Sequence, residues 1–378
     1  MRCFTSRASR RCLDAVSVCR WAAASLCCAL ASGLSAADVP PRGLAEQRRL
    51  LAEGETRLQA GDVDAARRAL EQAALASHAA DVELAQLRTM MQAGEYRKAL
   101  AFAAHVAGAH LDAAEGAVLY AWLLKLGGQH GVAKQVLDTA TRRLPNDPML
   151  GRVPGWWGVP DSAAMTAAPA WLAPYSVGGA VPADAQVAGS ALLLPGGRHA
   201  IAALADADND RRVWLRNGLG RTSAAEPVRR DPATSLVLLR LVDPLEAPLA
   251  WSRAAREAFA GSAAYVVGFA PDASARAAWP QLSIGFLGAG VAGSDARWLG
   301  TDVPRGTVGA PVIDQAGRIV GISVRPGSDG RSRMAGIGAL EALAGPLPLA
   351  DSGSLPRLGL DEIYEQAMRT ALQVLIVR

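Results

Sequence analysis

Cysteine is almost absent from this chain of 378 residues. All five cysteines lie within the first 28 residues, so no later segment can form a disulfide, bind zinc through thiolates or use a thiol nucleophile. The apolar run at residues 21–34 is shorter than the roughly 20 residues that span a bilayer. Hydrophobic residues make up 51% and charged residues 20%, which excludes a disordered chain.

The first 37 residues predict an export signal. Arginines precede the apolar run, and Ser35-Ala36-Ala37 offers small residues for cleavage. Arg10-Arg11 is also typical of a twin-arginine signal, but Arg20 interrupts the approach to the apolar run and favours the general route. An uncleaved anchor helix is the alternative. An exported chain whose remainder lacks cysteine suits a bacterial envelope compartment, so we expect the periplasm most simply.

A charge excess of one sign is also lacking once the leader is set aside. The whole chain carries +4, but five of its 39 basic residues and one of its 35 acidic residues lie in residues 1–37, leaving 34 of each. No Lys/Arg-rich tract remains to neutralise phosphates. We therefore expect no nucleic-acid partner, and membrane contact only through an envelope complex.

Residues 38–150 carry an internal repeat with spacings of 33 and 34 residues. Each repeat places a glycine five residues before an alanine, inside segments with helical periodicity. Small residues let two helices approach closely, and glycine closes the turn between them. The glycines and alanines are Gly61 and Ala66, Gly94 and Ala99, and Gly128 and Ala133.

This pattern resembles tetratricopeptide repeats, with Tyr96 at the aromatic position after a turn and Pro145 ending the last repeat. The resemblance implies about three stacked helical pairs with a concave face. That face is expected to be a groove for a peptide or protein partner. The alternative is an array that only packs against its neighbouring domain.

Four histidines fall inside these repeats: His78, His105, His110 and His130. Their spacing contains no pair with an acidic companion of the kind that forms a helical zinc site. We expect partly exposed helix residues, no metal and no cofactor.

Residues 151–175 predict a linker, because several prolines and glycines interrupt any continuous helix. The adjacent Trp156 and Trp157 are expected to hold two domains together; a ligand platform is the alternative. From residue 176 the chain changes to short β runs separated by Gly, Pro and Asp turns, which favours a sandwich or barrel.

Residues 306–314 read Gly-Thr-Val-Gly-Ala-Pro-Val-Ile-Asp and precede a strand-like run at residues 318–324. They are similar to the nucleophile loop and following strand of trypsin-like serine peptidases. Residues 189–194, 230–241 and 261–269, and Gly336-Ile337-Gly338, resemble further segments of HtrA-like members in the same order. The resemblance implies a double β-barrel over residues 176–348, followed by a tail at 349–378 with a helix over residues 360–377.

The triad residues that this family uses are not at the matching positions. Val308 stands where the loop carries the serine, Ser235 where the second segment carries the aspartate, and Ala203 near the place of the histidine. The chemistry needs a hydroxyl, an imidazole base and a carboxylate that orients it. By resemblance, the backbone N–H groups of Gly306 and Val308 are candidate oxyanion donors.

Two further motif matches are set aside. Residues 288–293 fit a dinucleotide pattern without a following helix, and residues 206–210 begin like a calcium loop but lack its glycine and final glutamate.

We therefore predict an α-solenoid of tetratricopeptide-like helical pairs followed by an all-β trypsin-like double barrel without catalytic activity. Its function would be that of a protein- or peptide-binding scaffold or adaptor in the envelope. The alternative is an active serine peptidase with an unorthodox constellation built on His199 or Ser235.

Overall fold

The computed structural model describes residues 41–157, 169–204, 212–254, 257–272, 274–291, 296–301, 307–326, 329–351, 353 and 355–377. The predicted leader, Gly306 and the acidic turn at residues 206–210 lie outside the described residues. So does part of the dinucleotide-like segment, whose Gly288 and Gly290 belong to a β-strand.

The N-terminal part consists of antiparallel helix pairs joined by tight turns. Asp62 begins the second helix because its carboxylate accepts a hydrogen bond from the Ala65 N–H at 3.0 Å. The helices are α1 (Pro41–Gln59), α2 (Val63–Ala76), α3 (Ala80–Gln92), α4 (Tyr96–Ala109), α5 (Ala114–Leu126), α6 (His130–Arg143) and α7 (Pro148–Trp157).

The repeat glycines form the turn inside each helix pair. Gly61, Gly94 and Gly128 have φ values of +81°, +77° and +80°, a left-handed conformation that favours glycine over any residue with a Cβ. The alanines that follow them are completely buried on the second helix of each pair, at Ala66, Ala99 and Ala133. Glycine therefore closes each turn, and a small side chain lets the paired helices pack closely.

The first β-barrel has the strand order β5-β4-β15-β2-β3-β6 and closes through β6 and β5, while β1 joins β5 in parallel. Its interior contains Leu193, Leu215 and Val374. The strands are β1 (Val177–Gly178), β2 (Ala185–Leu193), β3 (His199–Ala203), β4 (Val213–Asn217), β5 (Arg221–Asp231), β6 (Leu236–Leu241) and β15 (Ala371–Val377).

The second barrel is closed in the order β10-β13-β12-β11-β8-β9, and a small parallel sheet pairs β7 with β14. The strands are β7 (Trp251–Arg253), β8 (Ala263–Gly268), β9 (Gln281–Gly290), β10 (Ala296–Thr301), β11 (Pro311–Ile313), β12 (Ile319–Val324), β13 (Arg333–Gly336) and β14 (Leu349–Asp351). Helical pairs followed by two barrels confirm the predicted fold class.

The C-terminal segment differs from the prediction of one helix over residues 360–377. Helix α9 spans Leu360–Thr370, and residues Ala371–Val377 form β15, which lies between β2 and β4. Leu372, Val374 and Ile376 point into the first barrel. The tail is therefore a strand of the first barrel, because alternate apolar side chains face its interior.

Two other boundaries also differ. The predicted last strand stops at Gly336, and helix α8 (Ile337–Ala344) begins there. Helix α7 extends to Trp157, so the first seven residues of the predicted linker are helical, with Pro154 in the helix interior. Trp157 packs against Trp122 of α5 with ring centroids 5.9 Å apart, so it adheres to the helical array.

The array and the barrels share one core. Leu123 of α5, Leu282 of β9 and Met368 of α9 belong to a single buried cluster. Tyr96 of α4 contacts Tyr364 of α9 edge-on, and the Tyr364 hydroxyl donates to the Pro280 carbonyl at 2.7 Å. Because this apolar surface is buried jointly, separating the two parts would expose apolar side chains of both to water.

Candidate functional site

The three degenerate triad positions come together where the two barrels meet. Ala203 ends β3, and the next residue, Leu204, donates its N–H to the Ser235 carbonyl at 3.2 Å. The Val308 carbonyl accepts a hydrogen bond from the Ser190 N–H of β2 at 2.9 Å. These contacts place Ala203, Ser235 and Val308 around one corner, called here the triad corner.

Gly309 brings the loop close to the first barrel. Its φ is +84°, and a Cβ at this position would lie 1.9 Å from the Ser190 carbonyl oxygen and 3.2 Å from the Ala203 nitrogen. Only glycine fits both the backbone conformation and the space. The main chain beside Val308 therefore lies directly on β2 and β3.

The side chains at the triad corner are mainly apolar. Val308 and Ala203 belong to one hydrophobic cluster with Leu236 and Trp251. Ser235 has φ +57°, the only positive φ of a non-glycine residue in the described part of the chain. An L-residue in this region is strained by roughly 1–2 kcal/mol. The triad corner thus consists of packed apolar side chains and a strained turn at Ser235. The predicted triad positions carry neither an imidazole nor a carboxylate.

The carboxylate nearest in sequence to Ser235 is that of Asp231, and it is already hydrogen-bonded within its own turn. Asp231 accepts hydrogen bonds from the Ala233 N–H, at 3.0 Å, and from the Thr234 hydroxyl. Arg230 reaches the corner instead and donates to the Leu204 carbonyl at 3.2 Å. A guanidinium at this place opposes formation of an imidazolium nearby.

His199 lies at the start of β3, opposite Arg240 of β6. It lies four positions before Ala203, which corresponds to roughly 13 Å along a strand. Within the described ranges its ring has no hydrogen bond to a hydroxyl or a carboxylate. The arrangement that the alternative peptidase mechanism requires is therefore not found around His199 in those ranges.

Two buried serines that the sequence analysis did not single out hold the loop in place. The Ser190 hydroxyl accepts from the Phe269 N–H at 2.7 Å and donates to the Phe269 carbonyl at 3.1 Å. The Ser323 hydroxyl donates to the Thr307 carbonyl at 3.1 Å and accepts from the Ala310 N–H at 3.0 Å. Both hydroxyl protons are used in backbone hydrogen bonds: Ser190 ties the first barrel to Phe269 directly after β8, and Ser323 ties β12 to the loop.

The second candidate surface is the face formed by α1, α3 and α5, the first helices of the pairs. Residues 169–176, called here the strap, lie along α3 and α5. Arg88 of α3 donates to the Ala173 carbonyl at 2.9 Å and to the Ala170 carbonyl at 3.1 Å. Trp122 of α5 donates to the Leu172 carbonyl at 3.1 Å. The predicted groove is thus covered over α3 and α5 by the chain itself.

The turn glycines of the array also face the barrels. A Cβ on Gly61 would lie 2.4 Å from Val177, and one on Gly94 would lie 3.1 Å from both Leu219 and Arg369. Gly128 likewise faces Leu282 and Ile284 of β9 at 3.0 and 3.2 Å. The edge of the array that carries these turns is therefore packed against the β-domain.

His110 is partly exposed, as expected, but it lies just beyond the end of a helix and contacts a buried carboxylate. It follows α4, and its Nε2 lies 2.8 Å from the carboxylate of Glu83, a residue only 3% exposed. His78 approaches the same carboxylate at 3.6 Å. Through the Glu83 carboxylate, these contacts connect the loop between α2 and α3, which carries His78, to the loop between α4 and α5, which carries His110. Across the described ranges no group of three or more His, Cys, Asp or Glu side chains is arranged to hold a metal ion.

None of the described helices is both long and apolar enough to cross a membrane.

A comparison with protein-family models finds a match in the β-rich part of the chain. Residues 194–322 match the family model described as the trypsin-like peptidase domain. No curated protein matches the chain.

Solved structures with partial similarity include three proteases. They are the Rv3671c protease in its inactive form (16% identity, 42% of this chain and 85% of that chain, TM-score 0.33), the HtrA-type protease AlgW with a decapeptide (20%, 41% and 50%, 0.34) and the MamO protease domain from Magnetospirillum magneticum in its apo form (17%, 43% and 90%, 0.35).

Proposed function

We propose that the β-rich part, in which residues 194–322 match the trypsin-like peptidase domain, lacks peptidase activity and that, together with the helical array, it forms a protein- or peptide-binding scaffold or adaptor in the envelope. The observation that carries the proposal is the composition of the triad corner. Val308 and Ala203 pack into one apolar cluster where the chemistry needs a nucleophile and a base, and Ser235 replaces the carboxylate.

Acyl transfer needs a nucleophile and a base within hydrogen-bond reach of each other, about 2.6–3.2 Å. Valine has no proton to donate and no lone pair to attack with. The hydroxyls of Ser190 and Ser323 are buried and bonded to backbone groups, so neither is free to take the role. The apolar packing at the corner therefore supports a structural role for a former catalytic loop.

A binding role in the envelope rests on two further points. The leader at residues 1–37 predicts export, and the chain keeps a complete double barrel with no triad at the predicted positions. A well-packed barrel without its catalytic side chains retains surfaces that a partner can recognise. A scaffold or adaptor function needs no more than that.

Activity-probe labelling tests the loss of catalysis. The purified chain and its Val308→Ser variant are treated with a fluorophosphonate probe and assayed on denatured casein. We expect neither protein to be labelled or to hydrolyse casein, because Val308→Ser restores a hydroxyl without a base. Turnover by the unmodified chain that disappears in His199→Ala would refute the proposal and establish the peptidase alternative.

Crosslinking in envelope extract tests the binding role. The full chain without its leader is the suitable bait, because the shared core of Leu123, Leu282 and Met368 argues against separate folding of array and barrels. We expect one envelope protein to be crosslinked reproducibly, with the attachment sites confined to one surface. Scattered crosslinks to abundant proteins would count against a scaffold.

A further inference from the structure

The strap is held in an unusual way for a linker between two domains. Gln92 of α3 accepts a hydrogen bond from the Tyr175 N–H at 3.1 Å and donates to the Tyr175 carbonyl at 3.3 Å. Together with Arg88 and Trp122, it binds backbone groups at Ala170, Leu172, Ala173 and Tyr175. Linkers normally run over the surface with their backbone groups in water.

These contacts are made by side chains of the array to the backbone of the strap. Residues Ala170–Leu172 of the strap form a 3-10 turn and Ala173 is extended, so any peptide that takes this shape presents the same carbonyl and N–H groups whatever its side chains. The contacts come from α3 and α5, and Arg88 and Gln92 lie one helical turn apart on the same side of α3. The α3–α5 surface therefore has the features of a site for a segment that begins with a 3-10 turn and continues as extended chain.

Two strap side chains supply selectivity. Leu172 is 2% exposed and belongs to the core that the array shares with the barrels. The Tyr175 ring lies under the Arg88 guanidinium, 3.5 Å from its carbon to the ring centroid. An occupant of this surface thus offers a leucine and, three residues later, an aromatic ring.

We infer that the α3–α5 surface is a groove for a peptide with a 3-10 turn followed by extended chain, and that the strap is its built-in occupant. The ligand in trans is a protein segment with a leucine followed three residues later by an aromatic residue. This inference rests on the proposed binding role and names the class of partner. Such a segment enters only when the strap leaves the groove.

Displacement of the strap affects the first barrel. The strap continues directly into β1, where the Val177 N–H donates to the Gly220 carbonyl at 2.8 Å and Val177 pairs with Arg221 of β5. A partner segment that replaces the strap therefore loosens β1 from β5. What occupies the groove and how firmly β1 is paired with β5 are therefore coupled, because the strap and β1 are one continuous segment.

A labelled synthetic peptide of residues 169–177 tests the groove in the full chain without its leader. The built-in strap acts at an effective concentration on the order of millimolar, so micromolar peptide is excluded from the unmodified protein. Leu172→Asp places a carboxylate in an apolar site and releases the strap. We expect fluorescence anisotropy to show peptide binding at least about 100-fold tighter in this variant than in the unmodified chain.

The controls separate a groove from non-specific binding. Adding Arg88→Ala to Leu172→Asp removes the contacts to two carbonyls and the ring, so binding should be lost. A peptide with aspartate in place of its leucine should not bind. Hydrogen exchange should show β1 losing protection in Leu172→Asp while β12 keeps its own.

If Leu172→Asp fails to fold by circular dichroism, the milder double variant Leu172→Ala with Tyr175→Ala takes its place. A folded strap variant that does not bind the peptide overturns the inference and leaves the strap as a linker. That result leaves the proposed function standing if crosslinking still finds a partner. Peptidase turnover would overturn the proposed function without changing the peptide measurement.

Discussion

Gly309→Ala is the sharpest test of how the former catalytic loop is held. The new Cβ would lie 1.9 Å from the Ser190 carbonyl oxygen and 2.8 Å from its carbon, both backbone atoms of a residue only 1% exposed. A backbone group cannot rotate away as a flexible side chain can. Either the loop or β2 must move.

The cost has two parts. The left-handed φ of +84° alone costs an alanine roughly 1–2 kcal/mol. Separating the loop from β2 weakens the hydrogen bond from Ser190 to Val308, at 2.9 Å, and strains those that Ser190 makes to Phe269. Each lost bond contributes about 1 kcal/mol. We therefore expect Gly309→Ala to destabilise the protein by roughly 3–5 kcal/mol.

Gly261 provides a matched control. Its φ is +91°, but a Cβ there has no heavy atom within 4 Å, so Gly261→Ala should cost only about 1–2 kcal/mol, the conformational part. Urea unfolding followed by tryptophan fluorescence gives both midpoints. If the two variants differ by less than about 0.5 kcal/mol, the loop is not locked against the first barrel and the account of the triad corner fails.

Three further predictions concern the core and the corner. Burial lowers the pKa of Lys125 to about 8 from its ordinary 10.5, so the native chain binds fewer protons than the unfolded chain between these values and stability rises with pH there. Lys125→Met should remove that rise in urea midpoints, because methionine does not titrate, although it also removes the hydrogen bond from the Lys125 ammonium to the Trp157 carbonyl; an unchanged pH profile would contradict this. Truncation after Thr370 removes β15 and its inward side chains, a loss comparable to the whole stability of about 5–15 kcal/mol. Circular dichroism and limited proteolysis should therefore find no closed first barrel, and native resistance to protease would refute the role of β15. Ser235→Gly relieves the positive φ and should raise the thermal midpoint slightly, whereas Ser235→Val should lower it.

Much of the architecture follows from local patterns in the sequence. The repeat glycines mark turns because only glycine takes a positive φ without strain, and their spacing predicts the helix pairs. The β runs predict barrels, and the motif segments predict their order. Val308 in the nucleophile loop excludes a serine there without any structure, because the absence of a hydroxyl is a property of the residue itself.

Tertiary structure alone decided which surfaces meet. Residues 371–377 are an apolar run whose period does not say whether it continues a helix or pairs as a strand, and only the gap between β2 and β4 makes it β15. Residues 169–176 give no local signal for lying on α3 and α5, since Arg88, Gln92 and Trp122 come from distant parts of the chain. A sequence specifies an apolar or hydrogen-bonding face, but the partner of that face is chosen when the whole chain competes to bury it.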